Sequence, residues 1–472
     1  MFPERRLGPR VVIAAATGCI VAASFARSAG CSSADTSSGG GGGAKLSSSK
    51  ASSSSTSASV AVTTAASTGA GGASTCPYPG WYDWNVFTGF SAKTFCVPSS
   101  KALLPGPIEW ESCPANAGLT APGCRRMKIT WPYVEVTMAV NVSGSVESDG
   151  RVILQFTRLA KGADKYRMMV VAEADGPIRT AFLDPQPNPS SYISSNSSTQ
   201  MGVRHGKYIF LILDGAKFEN FSETILGGAV DDLTPTVLWD SDTSNGHAIG
   251  TSDAMWGTHN SFEIGLASFG ATLAPLYTGK EAGGLRQPQL YFWHDLAWWQ
   301  SGSVNYSNIM AYTPKKGVYP FISFGNDTSQ GAHGIATDGK QIAWVYSHGR
   351  QPGDTVYPVR DIMVSPFTTD PAALKPKRLR SYPWPYSVIN PLAVGCGYAA
   401  YAQPGQAFIV RLSDGVSWWL PEGGCKLPLD TEWCWDDVYA ITCDELFLRG
   451  GGPAQTIARV RLDALGPGKA AD

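Results

Sequence analysis

A chain of 472 residues with net charge −1, only 16% charged residues and a pI near 6.6 lacks the strongly basic balance of a nucleic-acid-binding domain. Its 52 Gly, 32 Pro and 11% aromatics favour many short strands joined by turns over long helices, and no sustained helical periodicity runs beyond residue 76.

Arg5, Arg6 and Arg10 precede an apolar run from Val11 to Ala26 that is too short for a comfortable membrane span. With Arg27 closing it, residues 1–30 have the layout of an export signal. Ser28-Ala29-Gly30-Cys31 follows. This stretch resembles the lipobox of bacterial lipoproteins, and the resemblance implies lipid modification of Cys31 in a Gram-negative envelope. Ser28 stands where that family usually has Leu, which keeps simple cleavage, giving a secreted or periplasmic protein, as the alternative. Ser32 after the cysteine, by the same resemblance, implies transfer to the outer membrane.

Residues 31–75 are almost wholly Ser, Gly, Ala and Thr after the cysteine. Such a tract cannot bury enough apolar surface to offset chain entropy, so a disordered linker is expected, spanning about 35–40 Å as a Gly/Ser coil. Residues 76–125 form a Cys-rich, Pro-rich region expected to pack on the main domain. Without the leader and Cys31, eight cysteines remain as disulfide candidates: Cys76, Cys96, Cys113, Cys124, Cys396, Cys425, Cys434 and Cys443. Their number and clustering at the two ends of the folded part suit an oxidising compartment. The pairing stays open, with Cys76–Cys96 and Cys113–Cys124 as local options.

From residue 126 to 466 strand-like segments recur. Asp149-Gly150 is a turn before Arg151 to Thr157, and Arg204-His205-Gly206-Lys207 is a turn before Tyr208 to Leu213. The clearest unit runs from Gly331 to Ser381. Thr337-Asp338-Gly339-Lys340 is a tight-turn signal, Gln341 to Ser347 is β-branched and aromatic, and two further strand-like pieces follow. About seven such units at a spacing of roughly 40–60 residues predict an all-β, β-propeller architecture, with six to eight blades. The stretch Ala336 to Trp344 resembles the repeat of periplasmic TolB-like and WD40-like propellers, in which a Ser/Pro-Asp-Gly-Lys turn leads into an apolar strand; the likeness is good in this unit and faint elsewhere. Residues 467–472 are a tail.

Catalytic motifs are missing: no nucleophile elbow, zincin helix, phosphate loop or Asp box occurs. No metal-ligand spacing and no cofactor motif stands out, so none is expected. His205, His259 and His333 lie at or near turns that a propeller gathers around its channel, where a shared site is geometrically open to them beside separate turn or structural roles, and Asp295 and Asp436 offer carboxylates there. Trp298, Trp299, Trp418 and Trp419 are the remaining signal. Large aromatics pack between blades or, as the alternative, form a recognition surface; neighbours on one strand point to opposite faces, so at least one of Trp418 and Trp419 is expected between blades while the other faces the neighbouring blade or solvent. The expectation is a monomeric, lipid-anchored binding platform for an envelope protein or glycan, touching the membrane through its lipid alone. A propeller hydrolase acting on polysaccharide and a purely structural protein are the alternatives.

Overall fold

The Asp338 carboxylate accepts hydrogen bonds from the backbone N–H groups of Lys340 and Gln341 at 2.9 and 2.8 Å, and Gly339 supplies a φ of +82°. Between them they close the turn that Thr337-Asp338-Gly339-Lys340 encodes. The strands it joins, Gly331–Thr337 and Gln341–His348, continue into Val359–Pro366 and Lys377–Pro383 as one four-stranded antiparallel meander. Boundaries and register follow the unit expected at 331–381.

In the computed structural model six other sheets share this plan and close a seven-bladed propeller. The structure describes residues 76, 78–87, 92–113, 123–128, 136–160, 167–184, 201–214, 222–241, 248–259, 263–271, 274–278, 290–301, 308–325, 327, 329–350, 359–383, 392–403, 406–420, 435–450 and 456–470. The stretches expected as export signal and linker, with Cys31, and Cys425 and Cys434 lie outside them. Among the described residues no helix is long and apolar enough to cross a membrane.

Blades 1 to 6 follow in chain order: 136–184, 201–241, 248–278, 290–322, 331–383 and 393–420. Blade 7 is composite. Its inner strands Trp435–Ile441, Glu445–Gly450 and Thr456–Arg461 come from the end of the chain, and its outer strands Cys124–Lys128 and Glu109–Ser112 come from before blade 1. The Cys-rich region is therefore part of the ring, and its antiparallel pairing of Val460 with Cys124 and Ala458 with Arg126 closes it. The hairpin Trp81–Phe87 and Ala92–Pro98 extends the outer edge of blade 1.

Each blade–blade interface holds its own apolar cluster, seven in all. A middle strand is thus buried on both faces, and its sequence is a continuous apolar run such as Tyr208 to Ile212 instead of an alternation. Trp298 and Trp299 show the division of labour. Trp298 packs toward blade 5 with Ile335 and Trp344, Trp299 toward blade 3 with Met255 and Leu266, and each is 1% exposed. Where the inner strands converge, space runs out: a Cβ on Gly395 would lie 2.1 Å from the Ile441 carbonyl oxygen. Disulfides join Cys76 to Cys96, Cys113 to Cys124 and Cys396 to Cys443, a set that suits an oxidising environment outside the cytosol.

Candidate functional site

Inner strands from all seven blades line a central cavity of about 520 Å³. The turns that follow these strands surround one mouth of it, and at two of them the chain bends through a two-residue loop with a left-handed histidine, His205 and His294, both at φ 49°. His205 follows Met201–Arg204 in blade 2, and His294 follows Leu290–Trp293 in blade 4.

These equivalent positions bring the two imidazoles together, stacked with centroids 4.3 Å apart and planes 11° apart. Trp293 stands edge-on to both, at 4.9 and 5.1 Å. The Arg204 guanidinium lies over the Trp293 ring at 5.5 Å and donates to the Phe292 carbonyl at 2.7 Å. Gly339 must be glycine here, because a Cβ would sit 2.6 Å from Trp293 Cζ2. Blade 3 adds Asp253, whose two carboxylate oxygens are each 3.0 Å from His294 Nδ1, and Ser252, whose hydroxyl donates to the His294 carbonyl. Blade 1 adds Glu147, whose carboxyl lies beside Ser145 and the backbone N–H groups of His205 and Gly206, which pull its pKa down while burial raises it.

Burial governs the charges. It pulls His205 down to about 4, helped by the charges of Arg204 and His294 and opposed by Asp253, so this ring is neutral at pH 7. Burial also lowers Arg204 to about 10, with Glu147 as its counter-charge, and raises the Glu147 carboxyl against its hydrogen bonds. Three side-chain atoms, Glu147 Oε1, Arg204 Nε and His205 Nε2, are buried with no hydrogen-bond partner. Perturbed groups gathered at a cleft mark a functional-site candidate. Among the described residues, the one group with metal-ligand proximity is Cys76, Asp83 and Cys96, whose two sulfurs are joined in a disulfide.

The sequence candidates separate. His205 is at the mouth, but His333 lies near the start of its inner strand, two residues after Gly331, hydrogen-bonded through Nδ1 to Gln300 Nε2 at 3.0 Å and held near 3 by burial and Arg360. His259 is buried at the far end of the second strand of blade 3. A shared site of His205, His259 and His333 therefore does not form; the partner of His205 is His294. That pairing has a sequence signal, since Arg204-His205-Gly206 and Trp293-His294-Asp295 occupy the same place in their repeats, blades 2 and 4. Trp298 and Trp299, two of the four recognition candidates, are core residues too deeply buried to meet a ligand. Trp418 is half-buried against Tyr398 and Arg411, its indole N–H donating to the Gly466 carbonyl at 2.9 Å, and Trp419 is 51% exposed. Asp295 is exposed beside His294, and the Asp436 side chain lies outside the described residues.

No protein-family model and no curated protein matches this sequence. Solved structures do. A gluconolactonase from Xanthomonas campestris is 12% identical over 76% of this chain and 97% of its own, with TM-score 0.35. The propeller domain of the trilobed protease from Pyrococcus furiosus is 8% identical over 69% and 94%, TM-score 0.39. A prolyl endopeptidase is 10% identical over 79% of this chain and 52% of its own, TM-score 0.39. The likeness extends to the propeller fold and no further.

Proposed function

We propose that the protein is an exported, lipid-anchored propeller that serves as a binding platform in the cell envelope, with its ligand engaged at the channel mouth built by Arg204, His205, Trp293 and His294. The observation that carries this reading is convergence. Polar groups from blades 1 to 4 meet at one lip of a cavity of about 520 Å³, and three of their atoms are left without an internal partner, although buried polar atoms are ordinarily paired. Anchoring is supported by the Ala29-Gly30-Cys31 lipobox and the Ser/Gly tract that follows it.

Chemical cross-linking in intact cells, followed by capture of the full chain, tests both halves. The wild type is expected in the membrane fraction with a reproducible envelope glycan or protein. Cys31→Ser should release it from membranes, and Arg204→Met should abolish ligand capture while leaving the membrane fraction unchanged. Capture that survives Arg204→Met would remove the ligand from the mouth.

Hydrolysis of polysaccharide is the second reading, favoured by the His294–Asp253 contact at 3.0 Å beside Glu147, whose carboxyl burial raises above its ordinary value: one oriented imidazole and one carboxyl shifted toward acid duty. Sugar release that is lost in Asp253→Asn and Glu147→Gln would establish it.

A further inference from the structure

The outer rim of blades 5 and 6 carries a second surface that the mouth does not explain. Between Pro371 and Ser381 the chain has four cations, Lys375, Lys377, Arg378 and Arg380, and no acid, in a protein whose overall charge is −1. Lys375, Lys377 and Arg378 are exposed. The loop before them carries Asp370, which is taken up by Lys316 of blade 4 at 3.5 Å. Next to Arg380 lies a groove of about 290 Å³, lined by Arg380, Phe408, Trp418, Trp419 and Lys469 among others, with no carboxylate in its lining among the described residues.

The groove is made by the end of the chain. The tail crosses the outer strand of blade 6, pairing Lys469 with Ser417, and Arg380 donates to the Ala470 carbonyl at 3.4 Å. That brings an exposed ammonium to a wall whose main apolar element is the Trp419 indole, 51% exposed. An exposed tryptophan beside cations in a concave site can hold the face of a sugar ring while the cations take its acid group. Lys377, opposite Val364, shares the blade 6 face with Arg380, opposite Ile362, so a cation continues past the groove on the same face and a second charged unit of one polymer would meet it.

We propose that this rim groove binds an acidic polysaccharide, one uronate-like residue seated on Trp419 beside Lys469 and its neighbour lying along Lys377. The site is separate from the channel mouth and does not rest on the function proposed for it. A flat anionic membrane is the less favoured partner, because the indole lines a groove instead of crowning a protrusion.

Binding of the full chain to alginate, a polyuronate, tests it against three controls: neutral dextran, polyglutamate, and vesicles of 3:1 phosphatidylcholine and phosphatidylglycerol. Alginate should bind at 50 mM salt, weaken as salt rises through the range where the Debye length falls below about 10 Å, and exceed polyglutamate at equal charge. Lys377→Glu with Lys469→Glu should weaken binding about tenfold or more and flatten the salt dependence. Trp419→Ala should weaken it about tenfold with the salt dependence intact, and Trp419→Tyr should recover part of that loss. His205→Asn should leave alginate binding unchanged. Equal affinity for polyglutamate, vesicle binding above alginate binding, insensitivity to Trp419→Ala, or loss in His205→Asn would each overturn the proposal.

Discussion

Lowering the pH from 7.5 to 5.0 should destabilise the folded ring through its buried histidines. His205 titrates near 4 in the folded chain and near 6.5 when unfolded. Its folded value is depressed because burial disfavours the cation. The stability it protects is therefore complete above 6.5 and is lost as the pH falls toward 4. Between 6.5 and 5.0 the unfolded state binds one proton that the folded state does not, and one and a half pH units at about 1.36 kcal/mol each give about 2 kcal/mol. His333, held near 3, adds a loss of the same sign and about the same size over that interval. Glu147 acts in the opposite direction, since its raised carboxyl takes up a proton more readily when folded. The informative comparison is with His205→Asn, because asparagine tolerates the left-handed backbone at this turn. Urea unfolding at the two pH values should show the variant losing about 2 kcal/mol less than the wild type. Equal losses would refute the claim that His205 is buried as a neutral ring.

Trp299→Ala should cost about 3–5 kcal/mol in urea unfolding, because the ring is 1% exposed between blades 3 and 4; a loss under about 1 kcal/mol would remove it from the core. Gly395→Ala should leave little folded protein in circular dichroism, since its methyl has the Ile441 carbonyl at 2.1 Å, and a normal melting curve would show that blades 6 and 7 stand farther apart. Reducing agent should lower the melting temperature, and Cys396→Ala with Cys443→Ala should reproduce much of that fall, because this disulfide closes the longest described loop, with a sequence separation of 47, worth about 2–4 kcal/mol.

The blade containing Trp344 was legible because its turn chemistry is local: Asp338 and Gly339 act within four residues. Ring closure was not. Cys124-Arg-Arg-Met-Lys128 buries two of its five residues, and its partner Val460 is far along the chain, so neither periodicity nor proximity announces the pairing. The tryptophan pairs were legible in part. Alternation sends Trp298 and Trp299 to opposite faces, but whether both faces are covered depends on the strand's place in the blade, and the second strand differs from the fourth, where Trp419 sits. The His205–His294 contact depends on the inner strands of blades 2 and 4 ending level across blade 3, which only the closed ring fixes.

Closure by residues 109–128 also sets an order of assembly. A chain delivered amino end first presents these strands long before 435–461 exist to receive them. The Cys113–Cys124 bridge spans only eleven positions, so it can form at once and hold the waiting hairpin as a unit. The ring itself must wait for residues 456–461 to emerge. Until then blade 1 has no neighbour on one side and the apolar face it shares with blade 7 is open, which makes this stage of biogenesis the one most exposed to aggregation and most in need of a chaperone.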